Sequence, residues 1–145
     1  MLSSKNKEKI YIKCIESIKS TSESNKLKFI SKLLFESFDN WIFCGFYFQD
    51  NDKLFVSEYS ANKIPCSPIE FNGVCGTAIL KNKILNIEDV NTFQGHIVCD
   101  NDSKSELCIP FDIDGIKYVL DVDSNIYNAF CEIDKKYLVK IIKEF

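Results

Sequence analysis

The stretch that decides the fold is ELCIPFDIDGIKYVLDVDS, from Glu106 to Ser124. Glu106–Phe111 and Ile116–Val122 read as two strands, and Asp112–Gly115 between them ends in Asp-Gly, a strong short-range signal for a tight antiparallel hairpin. On the second strand Asp121 and Asp123 alternate, so both point to one face of the sheet. Two like charges on one face repel unless something occupies the space between them, which makes a site there likelier than chance. Asp112 and Asp114 read as plain turn residues.

Working outward, the same pattern recurs upstream. Trp41–Phe48 is an aromatic strand, Gln49–Asp52 a loop, and Lys53–Tyr59 the returning strand. Ahead of it lie two amphipathic helices. Lys5–Ser20 carries Ile10, Cys14, Ile15 and Ile18 at helical spacing, and Asn25–Phe38 carries Ile30, Leu33, Leu34 and Phe38. Between the hairpins the chain holds a loop with Pro65 and Pro68, a glycine-opened helix from Asn72–Ala78 to about Asn82, a short strand Ile84–Ile87 and an irregular segment Glu88–Lys104. A last helix is expected over Glu132–Lys143, with Cys131 at a cap position where Ser, Thr or Asp would be favoured. This order predicts an α+β fold, an antiparallel sheet with helices packed on it, formed by residues 1–145 as a single domain.

Composition agrees with that reading. A chain of 145 residues, 46% hydrophobic and 27% charged, buries roughly two-thirds of its unfolded surface. The longest apolar run, Trp41–Phe48, is far short of the roughly 20 residues that cross a bilayer. Met1–Glu8 is polar and lysine-rich with no apolar stretch behind it, so no secretory signal is expected, and a cytoplasmic location is. All 18 basic residues are lysines. Without arginine there is no bidentate clamp for phosphates or guanine edges, and at net charge -3 nucleic acid is not an expected partner. The charge is uneven: Asn86–Ser124 holds nine acids and two lysines. An acidic face is the plain explanation, and a site for a cationic group would look the same.

Seven cysteines stand at 14, 44, 66, 75, 99, 108 and 131. An odd count in a reducing compartment argues against a structural disulfide framework. Cys14, Cys44, Cys108 and Cys131 fall in helices, in strands or at a helix end and read as buried small hydrophobes. Cys66, Cys75 and Cys99 sit in loops or at an element start. A zinc site from Cys66, Cys75, His96 and Cys99 has suitable atoms, but the gap between its first two cysteines exceeds the usual spacing. His96 alone reads as a hydrogen-bonding or surface residue.

Cys99 lies seven residues before Glu106, among acids that disfavour a thiolate. A thiol so placed suits chemistry in which an acid also helps. Sulfoxide reduction is such a case: the sulfur is attacked by the thiol while a carboxylic acid of raised pKa protonates the oxygen. The sulfenic acid left on the cysteine condenses with a second thiol, and Cys66 and Cys75 are placed to supply it.

Three motifs carry a family resemblance: Gly73-Val74-Cys75-Gly76-Thr77-Ala78; Gly95-His96-Ile97-Val98-Cys99-Asp100 with Ser103 and Ser105-Glu106; and Val119-Leu120-Asp121-Val122-Asp123-Ser124. In this order they resemble the free methionine-(R)-sulfoxide reductases, single-domain GAF proteins, over about Trp41–Leu138, with helices about 5–38 preceding that core. The resemblance implies Cys99 as nucleophile, Cys66 as main resolving thiol and Cys75 as a second one or a relay. Glu106, Asp121 and Asp123 would grip the substrate ammonium and polarise the sulfoxide oxygen. Thioredoxin would be the reductant, with no metal or organic cofactor, and a homodimer is compatible. The family's Trp-x-Gly-Phe-Tyr run stands here as Phe43 before Gly45-Phe46-Tyr47, with Trp41 two residues further back. An even displacement keeps strand parity, so both Trp41 and Phe43 could face the pocket side. Which of the two lines it stays open, and by the resemblance Tyr47 is a further substrate-packing ring. The stretch between Cys66 and Cys75 is one residue shorter than is usual in the family. The other reading is a GAF-type module that senses a small ligand or oxidants without turnover.

Overall fold

A computed structural model describes residues 2–143. Two helices open the chain, α1 (Ser4–Ser20) and α2 (Lys26–Ser37), followed by strands β1 (Trp41–Asp50) and β2 (Lys53–Ala61). Helix α3 (Val74–Lys81) and strand β3 (Leu85–Ile87) come next, then a single 3₁₀ turn at Val90–Thr92. Strands β4 (Ser105–Ile113) and β5 (Ile116–Ser124) form the second hairpin, and α4 (Glu132–Ile142) closes the described chain. The strands make one antiparallel sheet in the order β2-β1-β5-β4-β3. The α+β expectation holds, and both hairpin turns are tighter than expected. Asn51 opens the first at φ 57°, and Asp114 and Gly115 form the second at φ 50° and 82°, the left-handed pair that suits a two-residue hairpin.

The sheet's period of two sorts its residues between two cores. Cys44, Phe46, Leu107, Ile109, Leu120 and Val122 face α1, α2 and α4. Phe43, Tyr47, Cys108 and Val119 face the other way, toward α3 and the loops around it. Cys14 and Cys44 are buried in the helical core, as their reading as small hydrophobes anticipates.

Under that helical layer lies a buried ion pair that no local pattern announces. The Asp134 carboxylate, fully buried, takes hydrogen bonds from the Lys7 ammonium (2.6 Å), the Tyr11 hydroxyl (2.6 Å) and the Cys131 backbone N–H (2.8 Å). The last of these caps α4, so the cap comes from inside the helix and Cys131 is tolerated at its start. Lys7 also donates to the Ala129 carbonyl at 2.8 Å, so α1 is pinned to α4 at one point. Asp134→Ala leaves a buried ammonium uncompensated and is expected to cost about 3–5 kcal/mol. The check is a urea titration, in which the midpoint falls while the slope stays constant.

Candidate active site

The second face of the sheet carries the acids. Glu106 on β4 stands directly across from Asp123 on β5, and Cys108 across from Asp121. On the far side of β5, Asp121 pairs with Gly45 and Asp123 with Phe43. Alternation along β4 and β5 therefore turns Glu106, Asp121 and Asp123 into one pocket, with Cys108 fully buried on the same face of the sheet. A side chain at Gly45 would run into the Phe43 ring and the Tyr59 Cβ, at 2.8 and 2.6 Å. Glycine lets that ring lie over the strand beside Asp121.

Two loops close the pocket, and each carries one cysteine of a disulfide. Cys66 and Cys99 are joined, with Cα atoms 5.7 Å apart, within the usual span. The Cys66 loop is held from below. The Tyr47 hydroxyl donates to the Cys66 carbonyl (2.9 Å), the Ser67 hydroxyl accepts from the Val56 N–H (2.9 Å), and Ile69 bridges to Leu54. In the Cys99 loop Gly95 takes φ 90°, where an added Cβ would meet the Asn72 carbonyl at 2.5 Å. The Lys63–Asp100 ion pair, at 3.2 Å, ties one loop to the other. Cys99 is exposed and Cys66 half-buried, so the disulfide is reachable from outside while facing the acids within.

The cavity enclosed is about 70 Å³, room for on the order of six water-sized groups. Ile42, Phe43, Tyr47, Val74 and Ile97 supply apolar wall; Lys63, His96, Ser103, Glu106, Asp121 and Asp123 supply polar wall. The Ser103 hydroxyl is buried and has no hydrogen-bond partner among the described residues, so it is free to bond a ligand.

Burial governs the electrostatics. It raises the carboxyls of Glu106, Asp121 and Asp123, and the charge of Asp121 pushes Glu106 and Asp123 further up. Acids in this state hold a proton that exposed carboxylates have lost, and so can donate it. Burial lowers His96, whose Nδ1 lies 3.8 Å from Glu106 Oε1, which favours the neutral imidazole. At Cys75 the hydrogen bond with Cys108 lowers the thiol, but burial and the charges of Asp121 and Asp123 prevail and push it up to about 12.

Of the residues singled out from the sequence, Cys66, Cys75, Cys99, Glu106, Asp121, Asp123, Phe43 and Tyr47 all line this pocket or carry its disulfide. Trp41 does not, and strand parity fails there for a physical reason. A register shift lies between Trp41 and Phe43 in the pairing with β5. A bulge adds a residue on one side, so Ile42 takes the pocket position beside Phe43 and Trp41 swings to the opposite face. There its ring stacks on Phe38 at 4.4 Å and packs against Phe130. Cys75, expected as a second resolving thiol or a relay, is buried in the first turn of α3, with Sγ 3.4 Å from Cys108 Sγ. Cys108, read as an ordinary core residue, stands on the pocket face against Glu106 and Asp121. Its even offset from Glu106 on one strand was the available signal.

No family model matches the chain. Its fold is that of the GAF domains: a solved GAF domain superposes with a TM-score of 0.85 at 30% identity, covering 99% of this chain and 89% of that one. The class is thus a GAF domain whose pocket joins buried acids to a cysteine pair. Among curated proteins it is 44% identical to protein YtsP of Bacillus subtilis over 76% of this chain and 69% of the relative. It is 37% identical to the free methionine-R-sulfoxide reductase of Escherichia coli over 79% and 70%. The chain belongs to the free methionine-R-sulfoxide reductase family, and is an oxidoreductase.

Proposed function

We propose that the protein reduces free L-methionine-(R)-sulfoxide to methionine through Cys99 and an intramolecular disulfide, with thioredoxin restoring the thiols. The observation that carries this reading is the Cys66–Cys99 disulfide at the mouth of a pocket floored by the buried acids Glu106 and Asp121 and the half-buried Asp123. In the first step Cys99 sulfur attacks the sulfoxide sulfur while one of the raised carboxyls protonates the oxygen. Methionine leaves, and Cys99 keeps the oxygen as a sulfenic acid. The Cys66 thiol then displaces that oxygen as water and forms the disulfide. Two thiols are oxidised for each sulfoxide reduced, and an external dithiol returns the electrons by exchange at the exposed Cys99 sulfur.

The remaining polar groups account for the choice of a free amino acid. Glu106, Asp121 and Asp123 hold the ammonium that a peptide-bound methionine lacks, and the substrate's methyl and methylene groups rest on Phe43 and Tyr47. Lys63 and the unpartnered Ser103 hydroxyl at the same wall suit its carboxylate. Cys66 is the better resolving thiol, since Cys75 is buried against Cys108 and its pKa is pushed up to about 12.

The test is a single turnover of L-methionine-(R)-sulfoxide by prereduced protein, with mass spectrometry of its cysteines. One methionine per chain with a Cys66–Cys99 linkage is the expected result. A Cys75–Cys99 linkage would move the resolving role, and no methionine with all thiols still free would make this a ligand-binding GAF domain.

A further inference from the structure

Beneath the disulfide, and apart from it, four side chains form a second cluster. Cys75 reaches in from the first turn of α3, and Glu106, Cys108 and Asp121 stand on β4 and β5. One donor atom from each lies within 4.8 Å of the others, and all four residues are buried. The two sulfurs are 3.4 Å apart. Cys108 Sγ is 3.5 Å from both Glu106 Oε2 and Asp121 Oδ1, and Cys75 Sγ is 3.9 Å from Glu106 Oε2.

Those separations match the edges of a small tetrahedron. Bonds of about 2.3 Å to sulfur and about 2.0–2.2 Å to oxygen imply edges of about 3.8 Å between sulfurs and about 3.5 Å between sulfur and oxygen. The reductase reading employs Glu106 and Asp121 but leaves Cys108 without work. Any small apolar residue would fill its place on β4, yet a thiol stands there facing a second thiol. Two soft sulfur donors beside two carboxylates select a thiophilic cation over magnesium or calcium.

We propose that Cys75, Cys108, Glu106 and Asp121 form a binding site for a thiophilic divalent cation of the zinc type. Binding takes the two thiols as thiolates, releasing their protons to solvent, and completes a four-coordinate shell with one oxygen from each carboxylate. His96 Nδ1, 3.8 Å from Glu106 Oε1, stands behind one ligand, where an outer partner commonly orients a metal-bound carboxylate. Resting on the reductase reading, the cation and the substrate ammonium claim the same two acids, so the site is inhibitory and exclusive of substrate.

The metal is tested first without turnover. A Cys66→Ser, Cys99→Ser double variant, reduced and titrated with cobalt(II) alone, keeps Cys75 and Cys108 as the two thiols of the cluster while removing the disulfide pair above it. The expected result is a near-ultraviolet thiolate-to-cobalt charge-transfer band that saturates at one equivalent. Adding Cys108→Val should weaken binding at least tenfold and diminish the band, and Cys75→Ser should do the same independently, with circular dichroism reporting the fold of each. Absence of the band, or a band indifferent to both substitutions, overturns the site. In the chain with Cys66 and Cys99 intact, zinc should inhibit methionine formation competitively with the sulfoxide. Measured against its own zinc-free rate, Cys108→Val should be at least tenfold less sensitive. Equal sensitivity in the two proteins overturns the competition, and an absence of turnover in the chain with all its cysteines would overturn the reductase reading while the cobalt result still stands.

Discussion

Replacing Cys99 with serine is expected to reduce methionine formation to the uncatalysed background, in single turnover as well as in steady state, with the fold intact. The sulfoxide sulfur accepts a soft sulfur nucleophile, and a serine hydroxyl near neutral pH offers neither a comparable nucleophile nor a sulfur to carry the oxygen away. Cys66→Ser should behave differently. The first methionine still forms, because attack needs only Cys99, but the chain stops at a sulfenic acid that a dimedone-type reagent traps. Steady-state turnover then falls by about two orders of magnitude or more, since the thiol that regenerates the enzyme is missing. Both variants lose the disulfide that ties the two loops, so circular dichroism and a melting curve separate lost chemistry from a loosened pocket. Undiminished single turnover by Cys99→Ser would dismiss this cysteine as the nucleophile.

The second large effect concerns the acids, where activity and stability should move in opposite directions. Burial and mutual charge raise the carboxyls of Glu106 and Asp123 well above the ordinary carboxyl range, so the folded state prefers them protonated. A raised acid contributes its stability below the unfolded carboxyl pKa, near about 4, and loses it as pH climbs toward the folded value. The contribution of these two acids to the stability of the substrate-free protein should therefore fall progressively from about pH 4 upward. Glu106→Gln or Asp123→Asn removes an ionisable group from that cluster. Each should raise Tm by roughly 2–4 °C at pH 8 and change it little at pH 4. The same substitutions should lower kcat/KM at least about a hundredfold, because an amide donates no proton to the sulfoxide oxygen and grips an ammonium poorly. Scanning calorimetry at the two pH values and steady-state kinetics read the two effects. A Tm change equal at both pH values, or turnover within tenfold of the parent, would contradict the assignment.

Much of this architecture is written locally. Asp114-Gly115 sets the second hairpin because its two residues adopt the left-handed backbone that the turn requires. Asp121 and Asp123 face the pocket together because a strand repeats every two residues, and Glu106 joins them as the residue paired with Asp123. The helical stripes of α1 and α2 were legible for the same reason at a period of 3.6. Where only one element was involved, the periodicity sufficed.

Trp41, Cys108, Cys75 and Asp134 were settled elsewhere. Counting residues puts Trp41 and Phe43 on one face, but a bulge against β5 sends Trp41 into the helical core, and a bulge belongs to a pair of strands. Cys108 reads as a small hydrophobe until β4 meets β5 and α3 settles above it, and only then do two thiols and two carboxylates share one space. Lys7 and Asp134 lie at opposite ends of the chain, and their ion pair exists because α1 and α4 pack together. By itself the sequence determined the elements, their order and the face of the acids, and it singled out Cys66, Cys75 and Cys99. The tertiary structure decided which ring lines the pocket, which cysteine joins Cys99 and which buried charge has a partner. The reason is physical: backbone periodicity is a property of consecutive residues, whereas register, burial and the company of a charge arise only when distant segments pack.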